Sequence, residues 1–242
     1  MMQGYIMSGD TPVASFNGNI VSPILPNRVP FCFRNGGDLE WWLETRAIDK
    51  RRPNGRILKK ILNLGDISDI HTVMHVHGAS IIDNYWVKPS EEQNLLWADV
   101  QFSRNYFDDI AFSGSFKSYS RDFTLEQLQS QTPELTNTGS CEKCWRLVDR
   151  NWTLYKRGTP EEIFSEVFIY ELGKYFGFDM AEYKAGDNCV ISPDFTRGIY
   201  NFEPIANLVF DNEDSAFVFN SLKALKPGLE KEYVNVNKKV YQ

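Results

Sequence analysis

One stretch of this chain leaves the backbone few options. Residues 141–158, CEKCWRLVDRNWTLYKRG, place Trp145 and Leu147 before a polar turn at Asp149-Arg150-Asn151, and Trp152 and Leu154 after it. Apolar residues alternating on both sides of a short polar turn predict an antiparallel hairpin. TPEEIFSEVFIYELGKYFG follows at once, with Thr159 as N-cap, Pro160 at the first helical position, Glu162 three residues after the cap, and Gly177 as the stop. That order is a capping box followed by a helix and its terminator. A hairpin leading directly into a long helix requires a sheet with a helix packed on it. The strand and helix periods turn Trp145, Leu147, Trp152, Leu154, Val167 and Phe168 toward one expected core.

Around this unit the signals are shorter. PVASF at 12–16 and VPFCF at 29–33, set among Gly and Pro, read as the short strands of a small sheet. From the N-cap Asp38, DLEWWLETRAI brings Leu39, Trp42, Leu43 and Ile48 to one helical face. A second helix is expected after Asn54 in GRILKKILNL, closed by Gly65, and a third from Ser68 to Gly78. Residues 79–112 hold many aromatics with little periodicity and a bend at Pro89 beside Glu91-Glu92. They read as an extended strap, with Trp86 and Trp97 packed across a domain junction. The polar segment 113–134 reads as a linker. MAEYKA and NCVIS predict two more strands about Gly186-Asp187, and EDSAFVFNSLKAL a final helix. The expected fold class is α+β: an N-terminal module of strands, helices and strap at 1–118, then a sheet with a packed helix at 119–242.

With 42% hydrophobic and 14% aromatic residues among 242, the chain has the material for a core, which excludes disorder as its main state. About 150 residues per domain allows one large or two small domains, and the linker favours two. No run approaches the roughly 20 apolar residues of a membrane span. Met1-Met2-Gln3-Gly4-Tyr5 lacks a basic start to an apolar run, so a cytoplasmic protein is expected. Cys32, Cys141, Cys144 and Cys189 are too sparse for a disulfide scaffold and are expected as free thiols.

A net charge of −6 opposes general nucleic-acid affinity. One local exception is the run 46–60, with Arg46, Lys50, Arg51, Arg52, Arg56, Lys59 and Lys60 against Asp49. Across the expected short helices it fits a helix-turn-helix reader using Arg52 and Arg56, a protein-binding surface, or a solvated face, the last being the commonest meaning. Cys141-x-x-Cys144 has the spacing of half a zinc site, for which His71, His75 and His77 could supply the rest, but a lone CxxC more often marks packed thiols, and no metal is expected.

The hairpin and helix also carry a chemical pattern. A Gly-containing loop at Thr136–Ser140 precedes the first strand, Lys156 ends the second, and Glu166 lies ten residues on in the helix. Backbone N–H groups over phosphates, a strand Lys to neutralise them and a helix Glu to hold the Lys make a phosphate clamp. By spacing alone, two solvated side chains are the commoner meaning.

Beyond that spacing, IIDNYWVKPSEEQNLLWADVQF supplies Asp83, Tyr85, Trp86, Pro89, Leu95, Trp97 and Asp99. TPELTNTGSCEKCWRLVDRNWTLYKRG supplies Thr136, Gly139, Lys143, Trp145 and Lys156, and SEVFIYELGKYFGF supplies Glu166. In this order the segments resemble the HipA-like serine/threonine kinases found in many Firmicutes, over residues 80–240. The resemblance implies a kinase N-lobe at 119–242 and a nucleotide loop made of Thr136, Asn137, Thr138, Gly139 and Ser140. It further implies Lys156 on ATP phosphates, Glu166 orienting Lys156, the strand Cys189–Ile191 with Ser192 and Pro193 near adenine, and ATP with Mg²⁺ as cofactors.

The chain departs from that family in one respect. No Asp after Lys156 has an Asn five residues on, Asp49 and Asn54 lie upstream, and Asp194-Phe195-Thr196 stands in place of a D-F-G. The expectation is therefore a truncated or degenerate HipA-like kinase, an ATP half-site without the catalytic lobe. The alternative is a non-catalytic interaction module that pairs with a separate C-lobe chain or a DNA-associated partner. Asp194, Asp211 and Asp214 are candidates for an unfamiliar metal site, though a solvated acidic surface is the simpler reading.

Overall fold

Gly9 and Gly18, both in the left-handed region, cut the first 23 residues into the meander β1 (Gln3–Ser8), β2 (Thr11–Asn17) and β3 (Ile20–Pro23). The computed structural model describes residues 2–34, 36–52, 55–64, 67–103, 132–204, 207, 215–225 and 228. Helices α1 (Phe31–Arg34), α2 (Leu39–Arg46), α3 (Gly55–Ile61) and α4 (Asp69–Met74) follow the meander. Asp38 caps α2 by accepting the Trp41 N–H at 2.8 Å, as its position predicts. The helix expected from Ser68 to Gly78, α4, is shorter and ends at Met74, before His77 and Gly78 turn to positive φ.

The strap reading of 79–112 is corrected in its middle. Tyr85–Pro89 is a strand, β4, paired antiparallel with β1, so the first sheet runs β3-β2-β1-β4. Tyr85 and Val87 enter the core beneath α2 and α4, while Trp86 on the opposite face packs with Met7, Ala79 and Val100. Both faces are covered, so the sequence shows a continuous apolar run with no alternation to read. A short helix, α5 (Trp97–Val100), follows.

A 3₁₀ turn (Pro133–Thr136) leads into β5 (Lys143–Val148) and β6 (Asn151–Arg157), the expected hairpin. Val148 faces Asn151, so the turn is the two residues Asp149 and Arg150, both at positive φ as a type I′ turn demands. Helix α6 (Pro160–Tyr175) has its capping box formed: the Thr159 N–H donates to Glu162 Oε2 at 2.8 Å and the Glu162 N–H to Thr159 Oγ1 at 3.3 Å. Strands β7 (Lys184–Gly186) and β8 (Cys189–Pro193) complete a second antiparallel sheet in the order β5-β6-β8-β7, and α7 (Ser215–Leu225) follows.

The expected second core is also corrected. Register does place Trp145, Leu147, Trp152 and Leu154 on one face, but of these only Trp145 is buried, and Phe168 on α6 is 49% exposed. The opposite face is the buried one. Cys144, with Tyr155 against it, joins Ile48, Leu58, Leu62, Leu64, Val76 and Leu135 in a cluster drawn from both halves of the chain. Backbone bonds also cross between the halves, among them Phe202 N–H to the Ile82 carbonyl at 2.9 Å. The linker residues 113–131, the boundary at 118–119, strap residues 104–112, and Asn54, Gly65, Asp211 and Asp214 lie outside the described residues.

Candidate functional site

The loop expected to cover phosphates is pinned before it can bind anything. The Thr136 hydroxyl donates to the Ala79 carbonyl at 2.6 Å, anchoring the loop's start to the N-terminal half. Arg52 lies 2% exposed, and its guanidinium donates to the carbonyl of Asn137 at 3.3 Å and to that of Lys143. One buried side chain thus ties both ends of the loop. Beneath it, fully buried Glu134 accepts the Trp145 N–H at 2.7 Å and bonds the Thr132 hydroxyl. Burial pushes the Glu134 carboxyl up, against the pull of those bonds and of Arg52. Of the five loop residues, Thr136 and Asn137 are buried while Thr138 and Ser140 are exposed at the tip beside Gly139. Asn137 Nδ2 has no hydrogen-bond partner among the described residues.

The hairpin register delivers the cations. Lys143 and Lys156 are direct cross-strand partners, so both ammonium groups leave the same face of the sheet. Lys156 forms an ion pair with Glu166 of α6, the juxtaposition the sequence spacing predicts. Burial pulls the Lys156 ammonium down, and Glu166 more than offsets it, leaving a net rise. Lys143 Nζ lies 2.5 Å from where a Cβ on Gly139 would stand, so any larger residue there would displace it. Burial first, then Arg52 and Lys156, push the Lys143 ammonium down to about 8. In β8, next to β6, Val190 faces Lys156.

Two clefts lie among the described residues. One of about 420 Å³ lies between the loop tip, Thr138 and Gly139, and the end of α2 with Asp49, Lys50 and Arg51. Another of about 270 Å³ is lined by Asp83, Trp97, Phe102, Trp152, Asp194 and Arg197. Neither is lined by Lys156 or Glu166.

The other candidates resolve into structural roles. Arg46 forms a buried bidentate pair with Asp83, and Arg52 holds the loop, so two cations of the basic run point inward and Arg52 is not placed as a base reader. Lys50 and Lys59 pair with Asp69, and Arg51 with Asp49. Cys144 is a core residue and Cys141 is half-buried, both free thiols. His77 Nε2 contacts Glu92 at 2.8 Å and His71 contacts Ser68 at 2.7 Å. Among the described residues no three His, Cys, Asp or Glu side chains gather as a metal centre. The Asp194 carboxylate accepts from the Thr196 N–H and hydroxyl, closing a local turn.

Spacing alone brought out Lys156 and Glu166. It missed Arg52 as the loop's clamp, Glu134 as its buried support, and Lys143 as the second cation. Lys143 was within reach: a two-residue turn at 149–150 fixes 143 opposite 156. No described helix is long and apolar enough to cross a membrane. No family model, curated protein or solved structure matches the chain.

Proposed function

We propose that this chain carries the nucleotide-facing half-site of a HipA-like serine/threonine kinase, with ATP as its ligand. The observation that carries the reading is the Lys156–Glu166 ion pair, set on the second strand of the hairpin that follows a pinned glycine loop. In this reading the backbone N–H groups of 138–140 and the unspent Asn137 amide donate to phosphate oxygens, and Lys156, held by Glu166, neutralises their charge. Mg²⁺ requires several oxygen ligands. The described residues do not gather such a set, so the role assigned to them is binding and orientation alone.

The D-x-x-x-x-N pair that would orient an attacking hydroxyl is not found after Lys156. The purified chain is therefore expected to bind ATP weakly, in the millimolar range where about 4 kcal/mol suffices. It is also expected to transfer no labelled phosphate from ATP to a generic acceptor. Transfer abolished by Lys156→Ala would overturn the half-site reading, and ATP binding indifferent to Lys156→Ala would overturn the nucleotide assignment.

A second reading, an interaction module completed by a separate catalytic-lobe chain, rests on α6. Phe164, Phe168, Ile169, Leu172 and Tyr175 are exposed along it, with Phe164 and Phe168 stacked at 5.6 Å. Phosphate transfer appearing only after a catalytic-lobe polypeptide is added would favour this version.

A further inference from the structure

The cleft of about 270 Å³ lies where four segments from both halves of the chain meet: 80–84 ahead of β4, α5 with the two residues after it, the β5–β6 turn, and 194–198 after β8. Half-buried Trp97, Phe102 and Trp152 line it. Hydrogen bonds hold these walls in place. The Trp152 Nε1–H donates to the Phe102 carbonyl at 3.1 Å, and the Trp97 N–H to Asp10 Oδ1 at 2.7 Å. The Asn84 amide reaches the Gly198 carbonyl at 3.4 Å. With its N–H spent on the protein, the Trp152 indole has only apolar surface to offer a ligand.

Six non-glycine residues among those described hold a positive φ. Asn63, His77, Asp149 and Asn188 are of the types that enter the left-handed region most readily. The other two are Arg150 at 65° and Arg197 at 52°, and both line this cleft. Backbone strain kept at two separate loops around one cavity fits the clamps of a ligand site. The charges agree. Asp83 already accepts from Arg46 and the Tyr85 N–H, and Asp194 from the Thr196 N–H and hydroxyl. Arg150 and Arg197 are exposed, and no ion pair to either is found among the described residues. The charged groups left to a ligand are therefore donors.

We propose that this cleft binds a small flat-ringed anion, an aromatic carboxylate or an aryl phosphate. Its ring lies against Trp97, Phe102 and Trp152, and Arg150 and Arg197 take its charged end. A guanidinium fork presents paired N–H donors that match either anion, and aromatic walls favour a flat ring over a puckered one. A cavity just below the usual size for drug-sized ligands limits the occupant to one or two rings. Neither Lys156 nor Glu166 lines the cleft, so this site and the nucleotide half-site stand or fall separately.

The test titrates the full chain with benzoate and with phenyl phosphate, followed by ligand-observed nuclear magnetic resonance, with benzamide and cyclohexanecarboxylate as comparisons. At least one of the two aryl anions is expected to bind about tenfold or more tighter than both comparisons, and the tighter of the two identifies the anionic group. Arg150→Gly and Arg197→Gly are each expected to weaken that binding about tenfold. Both relieve the left-handed backbone, so binding lost without a fall in thermal midpoint separates a ligand role from a structural one. Arg150→Gln and Arg197→Gln, which remove the charge and keep most of the bulk, should lose as much. Benzamide binding as tightly as benzoate, or parent-like affinity in the arginine variants, overturns the anion clamp. Cyclohexanecarboxylate binding as tightly as benzoate overturns the flat-ring selectivity, and with it the proposal. Absence of binding by both aryl anions up to millimolar concentration also overturns it, and leaves the nucleotide reading to be decided by ATP and Lys156→Ala.

Discussion

Arg46 illustrates how much a single buried cation can fix. Its guanidinium donates twice to Asp83, at 2.9 and 2.8 Å, and to the Gly78 carbonyl at 2.7 Å, while lying 4.6 Å over the Trp42 ring. It links α2 to the turn after α4 and to the start of β4. Arg46→Met is expected to cost about 3–5 kcal/mol in urea denaturation, because Asp83 stays buried without its partner. Arg46→Met with Asp83→Asn should cost distinctly less, and equal losses in the two proteins would show that packing rather than charge is responsible. Glu203 gives a pH-dependent counterpart. It accepts the Phe31 N–H at 2.8 Å, and burial raises its carboxyl to about 7 despite that bond. A raised carboxyl stabilises the fold below the ordinary carboxylate range, and that contribution is lost as pH climbs through about 7. Glu203→Gln should therefore raise the urea midpoint at pH 8 and leave it nearly unchanged at pH 4. At this scale the sequence revealed Lys156 and Glu166 because a strand end and a helix position can be counted. It could not reveal Arg46 or Arg52 as buried, since a run of basic residues looks the same whether its partners are water or carbonyls thirty to ninety positions away.

Among the elements, those with local punctuation were legible and those without it were not. The β5–β6 hairpin and α6 carry their own turn and cap, and both form where the residues place them. The hairpin turn still holds a cost: Arg150 adopts φ 65°, a conformation that penalises a side chain. Arg150→Gly should stabilise the protein by about 0.5–1 kcal/mol, read as a rise in thermal midpoint, since glycine suits the second position of a type I′ turn. Loss of stability would mean that the Arg150 side chain contributes more than its backbone costs. β4 had no such punctuation, and its partner β1 lies some eighty residues away, so only tertiary structure identifies it. The direction in which the second sheet buries itself was hidden for a related reason. Period-two alternation says which residues share a face but not which face meets the other half of the chain, and Cys144 with Tyr155 outweighs the larger Trp and Leu set.

In the whole molecule, the described residues of the two halves share an apolar cluster in which Leu135 is fully buried. Leu135→Ala is expected to cost about 2–5 kcal/mol and to lower one common transition, followed by tryptophan fluorescence and far-ultraviolet dichroism together. Two separated transitions, only one of them shifted, would show that the halves unfold independently. The pairing of β4 with β1 has a further consequence during synthesis. The meander β1–β3 is complete once residue 23 has emerged, but one long edge of β1 keeps its N–H and C=O groups open until Tyr85–Pro89 arrives. At ordinary translation speeds of about 5–20 residues per second, those intervening residues take roughly 3–13 s. For that interval the nascent chain presents an unpaired strand edge, so codon choice and chaperone occupancy between β3 and β4 should govern how much of the protein reaches its native form.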